Sequence, residues 1–209
     1  MILVRGPAAD PRVLLGRRAA SSRFAPGMYV FPGGVLQPED FEARAAGELD
    51  SPSIGRMGVR GNGARAGALA RAAIRETLEE TGLMLGVPGD VGDLNDYGWR
   101  AIKATGLQPS LHDLTYLGLA VTPPGMPLRF NARFFMAPAR AARGEAGDSD
   151  ELSDLRWISP KQWRAFPLVS ITAYILEHFD KILRRAGEGE SFVYRHSGGR
   201  ARVRWRRAV

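Results

Sequence analysis

The sequence predicts a single α/β domain, and three patterns support this fold class. Residues 2–5 and 12–18 are short runs typical of strands, and further strand-like runs follow in the second half of the chain. Between them, residues 68–82 have the apolar spacing of an amphipathic helix. A chain of 209 residues without internal repeats or a low-complexity linker is then expected to form one domain, 1–209.

The composition is that of a soluble globular protein. Hydrophobic residues make up 44% of the chain and charged residues 24%. No apolar run approaches the roughly 18 residues that a membrane span needs, and the first residues do not resemble a signal peptide. The absence of cysteine excludes disulfides, thiol nucleophiles and cysteine metal sites. We therefore expect a cytoplasmic location and no membrane partner.

The chain is strongly basic, with a formal net charge of +7. Arginine supplies all but three of its 29 basic residues. Together with abundant Ala and Gly, this skew is what the codon usage of a GC-rich genome produces. A phosphorylated ligand would be served equally well by the same charge.

The first half of the chain is predicted to contain three strands and one long helix. The strands are 2–5, 12–18 and 27–34, the last of them stopped by Pro32 and two glycines. Residues 41–67 show no sustained period and are interpreted as an inserted loop with a helical turn near 41–48. The helix at 68–82 ends at Gly82, a typical C-terminal cap.

The second half is predicted to contain strands at 114–123, 129–139 and 155–158, and a helix at 169–187. Ser159-Pro160 is a favourable helix start. The segment 168–209 is thus a helix followed by a basic hairpin that turns at Ser197-Gly198-Gly199. Along its last strand Arg200, Arg202, Arg204 and Arg206 alternate with apolar residues, which predicts either an edge strand guarded by arginines or a face that grips RNA.

Three glutamates lie in the last two turns of the helix at 68–82. Glu76, Glu79 and Glu80 are spaced at three and four residues and therefore lie on one flank. Their mutual repulsion and the negative end of the helix dipole both disfavour this arrangement. A bound Mg²⁺ or Mn²⁺ would relieve both costs, because hard cations prefer several oxygen ligands. The alternative is an ordinary solvated helix end.

Upstream, the run Phe31-Pro32-Gly33-Gly34 favours the metal interpretation. Adjacent glycines after a strand let the backbone approach a ligand closely. With the helix, these residues resemble the Nudix hydrolase signature, in which Gly, five residues, Glu and seven residues precede Arg-Glu-apolar-any-Glu-Glu-any-Gly-apolar. Residues 75–83 match the second half, except that Thr77 occupies the apolar position.

The first half of the signature matches as Gly34 followed by Asp40 in place of Glu. Asp40 and Arg75 are 35 positions apart, where the family has eight, so about 27 residues are inserted, within 41–67. This divided motif resembles the peroxisomal coenzyme A diphosphatase branch of the family. Arg23 and Gly27 upstream also resemble its coenzyme A-associated motif, although the leading portion of that motif is missing.

The resemblance implies a Nudix-type α/β/α sandwich with a mixed sheet that hydrolyses the pyrophosphate of a small nucleotide-derived substrate. It implies Mg²⁺ or Mn²⁺ as cofactor, held by Glu76, Glu79, Glu80 and the Gly34 carbonyl. Catalytic roles fall to Glu76, Arg75 and Glu151, with Arg75 orienting a glutamate, and substrate-binding roles fall to Arg23 and Gly33. The general base is either Glu76 or a later acid, with Glu151 ahead of the alternatives Asp148, Asp150 and Glu145.

Several alternatives stay open at this stage. Coenzyme A or acyl-coenzyme A is the expected substrate, and ADP-ribose, a dinucleotide or a nucleoside triphosphate is the alternative. A non-enzymatic nucleotide- or RNA-binding module is a third hypothesis, which the intact glutamates oppose, so no nucleic-acid partner is expected. The insertion shapes either the substrate pocket or a contact within a homodimer.

Overall fold

A mixed β-sheet forms the centre of the protein in the computed structural model, which describes residues 1–60, 62–122, 130–197 and 200–207. Its strands run in the order β11-β10-β6-β7-β1-β2-β3, and β9 also pairs with β2. The pairs β1/β7 and β6/β10 are parallel and the other pairs antiparallel. The strands are β1 (Ile2–Arg5), β2 (Arg12–Arg18), β3 (Tyr29–Val30), β6 (Thr115–Val121), β7 (Asn131–Pro138), β9 (Leu152–Ile158), β10 (Glu190–Ser197) and β11 (Arg200–Arg207).

A smaller sheet and the helices complete the described fold. The smaller sheet has the order β5-β4-β8. Its strands are β4 (Met84–Pro88), β5 (Leu107–Pro109) and β8 (Ala142–Arg143). The α-helices are α1 (Glu39–Glu42), α2 (Ser51–Arg56), α3 (Gly63–Thr81), α4 (Tyr97–Ala104), α5 (Ser170–Glu177) and α6 (Phe179–Gly187), and the 3₁₀ helices are Ala139–Ala141 and Pro160–Ala165.

Helices cover both faces of the large sheet. On one face Ala66, Ala70 and Ile74 of α3 pack into a buried cluster with residues of β1, β2, β6 and β7. On the other face Ile175 and Phe179 of α5 and α6 join a second cluster. Burial on two sides explains the apolar character of the central strands. The α/β sandwich with a mixed sheet that the sequence predicts is confirmed.

The long helix α3 begins at Gly63, five residues before the predicted start. The side chain of Asn62 accepts a hydrogen bond from the backbone N–H of Arg65 at 2.9 Å and so caps the helix. The prediction of an irregular loop for 41–67 is therefore only partly right. Within it, α2 is capped by Asp50, which accepts from the Ser53 N–H at 2.6 Å.

Other boundaries also differ from the predicted ones. The predicted strand at 27–34 pairs with β2 only at Tyr29 and Val30. The predicted helix at 169–187 is two helices, because the backbone at His178 leaves the helical region, with φ −111° and ψ 21°. The region 84–113, for which the sequence analysis predicts no element, contains β4, α4 and β5.

The C-terminal hairpin is present and β11 forms an edge of the sheet. Its predicted turn glycines, 198 and 199, lie outside the described residues, as do residue 123 of one predicted strand and residue 129 of the next. In the described part of the chain, no helix combines the length and apolar character needed to cross a bilayer.

Candidate functional site

The three glutamates of α3 lie at its C-terminal end, and the site around them contains several buried charges. The helix ends at Gly82, whose φ of 72° is left-handed and whose N–H donates to the Leu78 carbonyl. Glu80 is 2% exposed and Glu76 is buried, whereas the side chain of Glu79 is 26% exposed. These carboxylates are therefore not the solvated face that the alternative interpretation required.

The glycine pair after β3 packs directly against two of these carboxylates. The Gly33 N–H donates to Glu80 Oε2 at 2.7 Å, and the Val35 N–H donates to Glu76 Oε1 at 3.1 Å. A Cβ atom at position 34 would overlap the Glu76 carboxylate. The close approach that the sequence predicts for this pair thus takes place against the glutamates themselves.

Arg75 is the central group of an ion-pair network in this site. Its Nε and Nη2 donate to both oxygens of Asp40 at 3.0 and 3.2 Å, and Nη2 also donates to the Val35 carbonyl. Its Nη1 lies 2.9 Å from Glu76 Oε1 and 3.2 Å from Glu79 Oε2. Because Arg75 is fully buried, it can orient carboxylates but presents no surface to a substrate.

Helix α4 contributes to the site, although the sequence analysis predicts no element there. The indole Nε1–H of Trp99 donates to Asp40 Oδ1 at 3.1 Å, and both residues are fully buried. The adjacent Gly98 packs so closely on Glu79 that a Cβ atom would overlap its carboxylate. Gly98 and Trp99 lie in the first turn of α4, which Asp96 caps, and nothing in the local sequence indicates their role in the site.

Thr77 occupies the motif position that is otherwise apolar. It is completely buried, and its hydroxyl donates to the Ala73 carbonyl one turn earlier at 2.6 Å. Its polar group is therefore satisfied within the helix, and the departure from the motif does not disturb the glutamate flank.

Burial makes ionisation of the three glutamates unfavourable. Desolvation raises the pKa of Glu80 to about 8, against the opposing hydrogen bond from Gly33 and with a further upward contribution from Glu76. Desolvation also raises the pKa of Glu76 and of Glu79, although the charge of Arg75 partly offsets the effect in both. The positive charge of Arg75 therefore does not fully offset the desolvation of the three carboxylates, and additional positive charge would favour their ionised forms.

One later acid lies close enough to act on all three glutamates. The charge of Glu151, in the loop before β9, contributes to the raised pKa of Glu76, Glu79 and Glu80. By contrast, Asp148 accepts hydrogen bonds from the Asp154 and Leu155 N–H groups and so closes its own loop. Glu151 and the remaining alternatives, Glu145 and Asp150, are all exposed, and neither alternative contributes to the raised pKa of the glutamates.

The other predicted substrate residue lies apart from this network. Arg23 is exposed in the loop between β2 and β3, and its guanidinium takes part in none of the ion pairs among the described residues. Gly33, in contrast, lies against Glu80. The structure thus brings Gly33, Gly34, Asp40, Arg75 and the three glutamates together.

The oxygen donors fit a hard divalent cation in chemistry, although they are not arranged as a preformed site. Within residues 1–60, 62–122, 130–197 and 200–207, no group of three or more Asp, Glu or His side chains has the spacing that holds a metal. Arg75 and the Gly33 and Val35 amides hold the carboxylates instead. A cation would be held by Glu76, Glu79 and Glu80 and would relieve the cost of their burial.

The structure is similar to a Nudix hydrolase from Alicyclobacillus acidocaldarius, with a TM-score of 0.62 and 26% identity over 84% of this chain and 86% of that chain. The Nudix hydrolase RenU from M. smegmatis has a TM-score of 0.47 and 17% identity over 88% of this chain and 83% of that chain. A C. elegans Ap4A hydrolase has a TM-score of 0.44 and 14% identity over 88% of this chain and 96% of that chain. Both similarities are too weak to carry an argument. No protein-family model and no curated protein sequence matches the chain.

Proposed function

We propose that this protein, whose fold is similar to that of a Nudix hydrolase, is a divalent-cation-dependent pyrophosphohydrolase. Its reaction is hydrolysis of the pyrophosphate bond of a nucleoside diphosphate derivative. The observation that carries the proposal is the trio Glu76, Glu79 and Glu80, of which Glu76 and Glu80 are buried and all three have a pKa raised by desolvation. A stability role alone does not account for three carboxylates placed where burial and the helix dipole both oppose them.

In this reaction a water oxygen forms a bond to one phosphorus, the P–O bond of the bridging oxygen breaks, and two phosphomonoesters leave with release of a proton. Glu76, Glu79, Glu80 and the Gly34 carbonyl would hold the cation, which would supply charge neutralisation of the pyrophosphate and a water of lowered pKa. Arg75 acts as a positioning residue, since it contacts Glu76, Glu79 and Asp40 while fully buried.

Glu151 is our candidate for the general base. Its side chain is exposed and lies within electrostatic reach of all three glutamates. Unlike the Asp148 carboxylate, it accepts no hydrogen bond from a backbone N–H among the described residues. We expect Glu151→Gln to lower kcat by about 100-fold or more, the usual contribution of a general base, with Mn²⁺ affinity retained. Asp150→Asn, at an exposed acid next to Glu151, serves as the matched control in the same loop. An unchanged kcat in Glu151→Gln would transfer the role to Glu76.

We further propose coenzyme A or acyl-coenzyme A as the substrate, giving 3′,5′-ADP and the (acyl) 4′-phosphopantetheine. The support is the resemblance in sequence: the divided motif with Asp40, its insertion, and Arg23 upstream. Within this proposal Arg23 binds the 3′-phosphate. It is exposed and carries no partner carboxylate among the described residues, so its guanidinium is accessible to a phosphate group. A cytoplasmic location belongs to the same proposal.

A substrate panel tests both levels of the proposal. Purified protein with Mn²⁺ or Mg²⁺ is offered coenzyme A, acetyl-coenzyme A, ADP-ribose, a diadenosine polyphosphate and a nucleoside triphosphate, and products are separated by chromatography. We expect the highest kcat/KM with the coenzyme A compounds. Rapid turnover of ADP-ribose without turnover of coenzyme A would refute the substrate, and no metal-dependent hydrolysis of any compound would refute the activity.

A further inference from the structure

The loop that carries Glu151 runs into an irregularity in the pairing of β9 with β2. At one point in this ladder Asp154 and Leu155 of β9 lie opposite the single residue Gly16 of β2. Two residues opposite one form a β-bulge, which bends the strand and changes the direction of the chain beside it. The bulged residue Asp154 has a left-handed φ of 49°. Glu151 lies three residues before the bulge, so the bulge sets the direction in which its loop meets the sheet.

The carboxylate of Asp148 holds both amides of this bulge. Its Oδ2 accepts from the Asp154 N–H at 2.9 Å, and its Oδ1 accepts from the Leu155 N–H at 3.2 Å. Hydrogen bonds to an ionised acceptor are stronger than those between neutral groups. The Asp148 side chain therefore stabilises the left-handed backbone at Asp154 and ties the start of the loop to its end.

Between these two ends the chain makes a two-residue turn with Glu151 at its tip. The Ser149 N–H donates to the Leu152 carbonyl at 2.7 Å, and the Leu152 N–H donates to Ser149 Oγ at 3.1 Å. Leu152 is fully buried, so the turn is anchored in the core on that side. The two residues between them, Asp150 and Glu151, are both exposed. The turn therefore presents two carboxylates.

Only one of these two residues has its backbone held by a neighbouring loop within the described residues. The Ala19 N–H, between β2 and β3, donates to the Glu151 carbonyl at 3.1 Å, whereas Asp150 has no such bond. This contact fixes the backbone of Glu151 relative to β2. It does not involve Asp148, and it therefore reports independently on the position of Glu151.

The start of the loop is fixed to the end of the helix that bears the glutamates. The Gly147 N–H donates to the Thr81 carbonyl at 3.0 Å, and Thr81 directly follows Glu80. A Cβ atom on Gly82 would lie 2.6 Å from the Glu145 carbonyl oxygen, so the two backbones are in direct contact. Backbone contacts thus hold the loop against the end of α3.

We propose that Asp148 is a positioning residue for Glu151: its carboxylate holds the bulge of β9 and with it the turn that presents Glu151 to the glutamates of α3. The proposal rests on the proposed function, in which Glu151 is the candidate general base. A base must lie within hydrogen-bond reach of the water whose proton it takes. Because a small displacement of such a group lowers the rate strongly, the exposed Glu151 requires a fixed backbone. Asp148 acts through Glu151 and takes no proton itself.

Amide hydrogen exchange tests the positioning without turnover, on the full-length protein in EDTA. The Ala19 amide is the reporter, because its partner is the Glu151 carbonyl. Asp148→Asn replaces one of the two acceptor oxygens with a donor, and we expect exchange at Ala19 to become at least about tenfold faster. Asp148 is exposed, so the variant should keep its core and fold. Asp150→Asn, which removes the same charge one residue from Glu151, is the matched control and should exchange as the wild type does.

A double-mutant cycle on kcat tests whether Asp148 acts through Glu151. We expect Asp148→Asn to lower kcat by about tenfold or more while KM and Mn²⁺ affinity stay unchanged. In the Glu151→Gln background the same substitution should have no further effect on kcat, because the group that it positions is already missing. Asp150→Asn should leave kcat at the wild-type value.

Three results would overturn the proposal. Unchanged exchange at Ala19 in Asp148→Asn would show that the backbone of Glu151 is held without Asp148. An equal loss of kcat in the wild-type and Glu151→Gln backgrounds would show that Asp148 supports the fold in general. Wild-type kcat in Glu151→Gln would remove the base that Asp148 is proposed to position. An inactive wild type would refute the proposed function, and the exchange rates at Ala19 would still decide whether Asp148 holds the loop.

Discussion

Replacing Glu80 with Gln isolates the free-energy cost of ionising this buried carboxylate in the metal-free folded protein. Glu80 is 2% exposed, and its Oε2 accepts the Gly33 N–H. Gln keeps the length of the side chain and an oxygen that can accept that bond, while it removes the ionisable group. Glu188→Gln, at an exposed position directly after α6, is the matched control.

The magnitude follows from the raised pKa of about 8, compared with 4.5 in the unfolded chain. Below pH 4.5 both states carry the proton and the group has no effect on the free energy of unfolding. Between pH 4.5 and 8 only the unfolded state ionises at this group. The contribution of Glu80 therefore lowers the free energy of unfolding by about 1.4 kcal/mol per pH unit. At pH 7 the loss reaches about 3 kcal/mol, and above pH 8 it is constant.

We therefore expect metal-free Glu80→Gln to unfold at a higher temperature than the wild type at pH 7, by roughly 6–12 °C. The difference should vanish as the pH approaches 4.5. Calorimetry in EDTA between pH 4.5 and 8.5 measures it. In Mn²⁺ the order should reverse, because the cation binds the folded wild type more tightly and stabilises it by mass action. Hydrolysis by the variant should fall by at least about 100-fold.

Two outcomes would refute this reasoning. A difference in melting temperature that does not change with pH would show that the Glu80 charge is not penalised in the folded protein. Full Mn²⁺-dependent activity in Glu80→Gln would show that Glu80 does not hold the cation on which hydrolysis depends. Glu188→Gln should match the wild type in both measurements, since an exposed carboxylate has little effect on stability.

Three further substitutions examine the surroundings of the site. Trp99→Phe removes the indole donor to Asp40 and should lower kcat more than it raises KM, with a stability loss of about 1–3 kcal/mol by denaturant unfolding; an unchanged kcat would make this contact purely structural. Gly34→Ala should abolish measurable hydrolysis, because its Cβ would overlap the Glu76 carboxylate; wild-type kinetics would show that the turn is free to move. Arg204→Met, on the exposed edge strand, should leave hydrolysis unchanged; salt-sensitive RNA binding that this substitution abolishes would revive the RNA-binding hypothesis.

The spacing of residues 75–82 was sufficient to predict a one-sided glutamate cluster, because helix geometry alone places residues three and four apart on the same flank. The strands 2–5 and 12–18 were predicted at their true bounds for a similar reason: their periodicity is local. The start of α3 was missed because Asn62 caps it through a single local bond that small, Gly-rich flanking residues obscure. The region 84–113 carried too short and too irregular a pattern for any element to be predicted.

The sequence by itself determined the residue types and spacing of the glutamate cluster, the close-packed glycine pair and the basic edge strand, since each depends on the pattern of one segment. The tertiary structure decided which distant groups meet those residues. Trp99 reaches Asp40 across 59 positions, and Arg56 of α2 reaches the Gly189 carbonyl across 133 positions. Contacts of this kind depend on how α4 and α2 pack on α3 and the sheet, and no local pattern encodes that packing.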